Sequence, residues 1–80
     1  MPTRIAVANR LQKLCAEREI SIHKLSIIAA IPPSTLKNIL YGKSKNPGIV
    51  TIKKLCDGLC ITLGEFFSTK EFDQLEQEIR

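Results

Sequence analysis

The eighty residues predict an all-α fold: one compact domain of five short helices, followed by a short helical tail. Three observations carry this. Apolar residues recur at three- and four-residue spacing through the chain, and no stretch sustains the alternation of a strand. Serine, threonine and proline stand just ahead of the apolar runs, where helices begin, and glycine closes the third. A hydrophobic content of 44% belongs to a folded chain rather than a disordered one. At this length a domain buries roughly 60% of its unfolded surface, which leaves little room for a roofed catalytic cavity and favours a binding module.

The first helix is expected over about Thr3 to Arg18, with Val7, Leu11, Leu14 and Cys15 on its inner face. Ser21 is a good N-cap for a second helix that turns Leu25, Ile28 and Ala29 inward. After the turn Ala30-Ile31, the pair Pro32-Pro33 opens a third helix, because proline's missing N–H costs nothing in a first turn. That helix runs to about Tyr41, buries Leu36, Ile39 and Leu40, and stops at Gly42, the expected left-handed residue. Beyond the loop Lys43 to Gly48, a fourth helix from about Val50 to Leu59 buries Ile52, Leu55, Cys56 and Leu59, with Gly58 weakening its last turn. The capping-box pattern Thr62-Leu-Gly-Glu65 starts a fifth helix with Phe66 and Phe67. A second such pattern, Ser68-Thr-Lys-Glu71, starts the tail, whose narrow stripe is Phe72, Leu75 and Ile79.

Charge is segregated along the chain. From Met1 to Cys56 ten bases face two acids, a balance of +8, whereas from Asp57 to Arg80 two bases face six acids, a balance of −4. Between Glu19 and Asp57 there are six lysines and no acid. Such separation suits a basic face for a polyanion and an acidic end kept away from it. Cys15, Cys56 and Cys60 are an odd number in apolar-periodic sequence, which implies free thiols in a reducing cytoplasm. No run approaches a membrane span and no leader pattern is present.

Two short helices joined by a tight turn, Ser21 to Ala29 and Pro33 to Tyr41, make a helix-turn-helix pattern. A second helix so placed can enter the major groove while the first lies across the backbone. From Leu11 to Phe67 the chain resembles the Cro and phage-repressor type helix-turn-helix domain, the XRE-like family of bacterial and phage regulators. The residues that carry the likeness lie in "ISIHKLSIIAAIPPSTLKNILYGKSKNPGIVTIKKLCDGLCITLGEFF". They are Leu25, the turn at Ala30, Ile31, Gly42, the loop proline Pro47, Leu55 and Leu59, and the ending "ITLGEFF". The resemblance implies a lambda-repressor-like DNA-binding domain over residues 1–67, with an acidic amphipathic tail helix over 68–80.

Three positions depart from the family pattern. Many members carry a phosphate-gripping glutamine where this chain has Ile22, so Ser21 and the first backbone N–H groups, Ile22 included, are left to hold a phosphate. The usual turn glycine is Ala30, which suggests a turn that alanine reaches without positive φ. Members often pair an arginine with a glutamate where this chain has Cys15 and Leu40; losing both partners is tolerable, and the two should pack together.

In the third helix the outward residues are Pro33, Ser34, Thr35, Lys37 and Asn38. Asparagine matches adenine bidentately, lysine donates to guanine or to a phosphate, and the hydroxyls bond to bases or phosphates. Pro33, Ser34 and Asn38 fall where the family's members contact bases, with Lys37 close behind. The loop Lys43, Ser44, Lys45 and Asn46 would hold phosphates, setting register without reading sequence. Lys53 and Lys54 are either peripheral phosphate contacts or solvated lysines, the second being favoured.

No nucleophile or paired-carboxylate motif accompanies the single histidine, His23, and Cys56 with Cys60 lacks a second ligand pair, so neither an enzyme, a metal nor a cofactor is expected. The partner is double-stranded DNA, with no membrane and no small-molecule ligand indicated. The tail stripe either folds back or pairs with a second copy in a homodimer, its acids pointing away from the basic face. The reading is a sequence-specific DNA-binding transcriptional regulator. Its rival is a protein-interaction module on the same fold, such as an antitoxin or regulatory adaptor.

Overall fold

The computed structural model describes residues 1–41 and 46–79. Along them lie α1 (Thr3–Glu17), α2 (Ile22–Ile28), α3 (Pro33–Leu40), α4 (Ile49–Leu59), α5 (Leu63–Phe67) and α6 (Lys70–Asp73), with no strand among the described residues. The chain is all-helical, as its apolar spacing requires.

One local device ends three of the helices. After α1, the N–H of Glu19 donates to the carbonyl of Ala16 and that of Ile20 to Cys15. After α2, Ala30 donates to Ile27 and Ile31 to Ser26; after α4, Cys60 donates to Asp57 and Ile61 to Cys56. Each is the paired bonding of a Schellman motif, which needs a left-handed residue. Glu19, Ala30 and Cys60 supply it at φ of 54°, 56° and 60°. The next residue is isoleucine every time, turned towards the core: Ile31 is buried, and Ile20 and Ile61 pack against its edge. The residue after that caps the following helix, as Ser21, Pro32 and Thr62. A stop, an anchor and a restart thus occupy three consecutive residues.

This geometry corrects the reading of the turn. Ala30 does adopt positive φ, although it is not glycine, because the two helix-closing bonds and the burial of Ile31 fix the backbone there. The strain of a left-handed alanine is about 1–2 kcal/mol.

The core draws on every helix of the domain. Leu11, Leu25, Leu36, Leu55, Cys56 and Phe66 are wholly buried. Cys15 and Leu40 lie in the same buried cluster, and α1 packs against α3. Burial pushes both the Cys15 and the Cys56 thiols up. Ser26 is buried as well, and its hydroxyl donates to the carbonyl of His23 at 2.6 Å. Ile28, expected inside, is 41% exposed. Gly58 explains its position: a Cβ there would meet the Ala29 N, the Ala29 Cα and the Ile28 side chain, each at 3.2 Å. The glycine therefore serves close packing of α2 on α4, beyond its cost to the helix.

Arg10 ties α1 to α5. Its guanidinium donates to the carbonyls of Phe66 and Glu65, both at 2.9 Å, and lies 5.9 Å from the centre of the Phe66 ring. A cation on the last carbonyls of a helix completes bonds that the helix cannot make itself. Phe66, Phe67 and Phe72 form an aromatic group that seats the start of the tail.

The tail differs from expectation in two respects. Ser68 closes α5 by donating to Gly64, so the restart slides one residue and Thr69 becomes the cap, accepting from the Phe72 N–H at 3.4 Å. The helix then lasts only to Asp73, and residues 74–79 leave it. A longer helix would put Glu76 and Glu78 at its C-terminal end, where the dipole disfavours negative charge. The tail instead folds back on α1: Phe72 packs on the core and Thr3 Oγ1 donates to Glu78 Oε2 at 2.5 Å. Ile79, expected on the inner stripe, is 84% exposed.

Candidate nucleic-acid interface

The sequence-derived site divides between three helix starts. At the first, Ser21 caps α2, its Oγ accepting from the Lys24 N–H at 3.0 Å. That bond uses a lone pair and leaves the hydroxyl proton free to donate to an incoming oxygen. Ile22 is half-buried, so its side chain serves packing and only its N–H is available to an anion. His23 and Lys24 are exposed beside it.

At the second start, two successive prolines leave α3 short of donors. Pro32 is the N-cap without a side-chain bond, Pro33 is the first helical residue, and the Pro32 carbonyl takes the N–H groups of Thr35 and Leu36. Of the first-turn amides, only that of Ser34 lies outside this ladder. Leu36, Ile39 and Leu40 face inward. Pro33, Ser34, Lys37 and Asn38 are exposed, and Thr35 is half-buried. Side chains must therefore do whatever reading this helix does. The helical spacing brings Ser34, Lys37 and Asn38 to one face.

The third start is α4, whose N-cap is Gly48, with no side-chain cap and no acid in the first turn. Asn46, just before it, is exposed. Lys43, Ser44 and Lys45 lie outside the described residues, as does Gly42, the expected stop of the third helix. Neither α2 nor α3 carries an acid, so all three starts lie in a stretch of uniform sign. Lys53 forms an exposed ion pair with Asp57 on α4, in keeping with a solvated role. No group of histidine, cysteine, aspartate or glutamate among the described residues could hold a metal ion. No described helix is long and apolar enough to cross a membrane.

The sequence reading counted Arg10 within the basic balance, but the structure commits it to the α5 carbonyls. The sequence held one sign of this: α5 is "LGEFF", with no cation of its own in its last turn.

Comparison with known proteins agrees with this architecture. The model of the Cro/C1-type HTH DNA-binding domain matches residues 10–71. The crystal structure of the prophage Lp1 protein 11 aligns with a TM-score of 0.81 at 27% identity, over 91% of this chain and 96% of that one. No curated protein sequence matches. With the helix pair, its turn and the fourth and fifth helices all inside the matched range, the chain belongs to the Cro/C1-type helix-turn-helix DNA-binding domain family.

Proposed function

We propose that the protein is a sequence-specific transcriptional regulator that lays α3 in the major groove of double-stranded DNA. The observation that carries this is the division of α3 into an apolar inner face and an outer face holding Ser34, Lys37 and Asn38, with no acid in the helix. Asn38 reads an adenine, and Lys37 donates to a guanine or an adjacent phosphate. Pro33 presses on a thymine methyl, while Ser34 and Thr35 supply hydroxyls. The Ser21 hydroxyl, the Ile22 N–H and the loop Lys43, Ser44, Lys45 and Asn46 grip phosphates and fix the register.

A fluorescence-anisotropy titration of a duplex tests the electrostatic part. Affinity should fall with salt at a logarithmic slope of about −0.9 per phosphate neutralised, so several contacts give a steep line. Replacing Lys43 and Lys45 by alanine should weaken binding on every duplex alike and flatten that slope by about two. Absence of binding at low salt would refute the proposal and favour a protein partner instead.

A further inference from the structure

The end of the acidic tail lies beside Asn46. Glu78 is anchored by the Thr3 hydroxyl at the start of α1 and lines an open cleft with Pro2, Thr3, Arg4 and Asn46. Glu76 lines the adjoining depression with Met1 and Pro2. Asn46 is the residue at which the lysine-bearing loop rejoins the described chain, and it is one of the positions assigned above to phosphate. The cleft thus holds the Glu78 carboxylate, the Arg4 cation and a residue assigned above to phosphate, and the carboxylate there opposes an incoming phosphate and offsets the attraction of Arg4.

We propose that the tail is a built-in ionic brake on DNA binding, in which Glu78, seated by Thr3 and supported by Glu76, repels phosphate from the Asn46 end of the interface. The inference rests on the DNA-binding reading and deepens it. DNA binds at full strength when the tail leaves the cleft or loses its charge, so anything that draws the tail away raises affinity.

The test uses the full chain with Glu76→Gln and Glu78→Gln together. The double variant should bind duplex about threefold more tightly than wild type at roughly 0.05 M salt, and the gain should vanish near 0.5 M, where charges beyond about 4 Å are screened. Glu17→Gln is the control, since it lies about 21 Å along α1 from Thr3 and should leave affinity unchanged. Without DNA, Glu78→Gln should also shift the backbone amide resonances of Thr3 and Asn46. Wild type that binds while the double variant merely equals it, or while Glu17→Gln gains as much, overturns the brake alone, as do unmoved Thr3 and Asn46 resonances. Wild type that binds no duplex overturns the DNA-binding reading and the brake with it.

Discussion

Replacing Ala30 by glycine should stabilise the domain, although the same exchange inside a helix does the reverse. At φ 56° the alanine Cβ is crowded against the following carbonyl, a strain of about 1–2 kcal/mol that glycine removes. Glycine also loosens the unfolded chain, which returns about 0.4–1 kcal/mol. The net gain is about 0.5–1 kcal/mol. Unfolding entropy near 2.1 cal/mol/K per residue gives roughly 0.17 kcal/mol/K for a chain of this length, so Tm should rise by about 3–6 °C. Ala16→Gly supplies the contrast: Ala16 is an exposed, helical residue of α1, and its loss should cost up to about 1 kcal/mol. Calorimetry or thermal circular dichroism on the two variants measures both signs. If Ala30→Gly lowered Tm as Ala16→Gly does, residue 30 would not be left-handed and the three-residue turn would be wrongly described.

Arg10→Met keeps the stem of the side chain but loses two bonds to carbonyls and the ring contact. For a half-buried arginine that is about 2 kcal/mol, read as a fall of about 12 °C in Tm. Gly58→Ala should destabilise by about 1 kcal/mol in urea unfolding despite alanine's better helix propensity, because its Cβ meets the Ala29 backbone; a gain would mean that α2 can yield. Cys60 is exposed and should react first with a thiol reagent, while Cys15 and Cys56 wait for unfolding. Burial raises the pKa of those two above the ordinary 9.0, so their contribution is whole below that value and is lost as pH rises through the folded pKa. Tm should therefore fall on the alkaline side, and a Cys15→Val, Cys56→Val variant should flatten that limb.

The helices of the domain were legible because apolar spacing, Ser21, Pro33 and the Thr62-Glu65 box are local signals that the tertiary structure leaves in force. The Thr62 box forms with both of its bonds. What escaped were features set by how one helix ends before the next begins, and by contacts between distant segments. Nothing near Ala30 in the sequence announces positive φ, since the helix-closing bonds and the burial of Ile31 impose it. Gly58 reads as a weakness within its own helix, and only the fold lays α2 against it. The tail's expected Ser68-Glu71 box does not form, because Ser68 is engaged in ending α5 and Thr69 caps the tail helix instead. In the sequence Arg10 is one base among ten, and only the fold sets its guanidinium on carbonyls 55 and 56 residues away. In the candidate site, the outward residues of α3 follow directly from periodicity. The shortage of amide donors at the Pro32-Pro33 start follows from covalent chemistry alone.

The central claim is that α3 reads base edges, and selection of bound duplexes from a random pool tests it most directly. Wild type should enrich a short motif, and two copies of the motif centred about 34 Å apart would indicate that two domains bind together. Asn38→Ala should relax the preference at one base pair by about 1–3 kcal/mol and leave the other positions intact. A pool that stays random, or a motif that Asn38→Ala does not alter, would contradict the assignment of α3 as the reading helix.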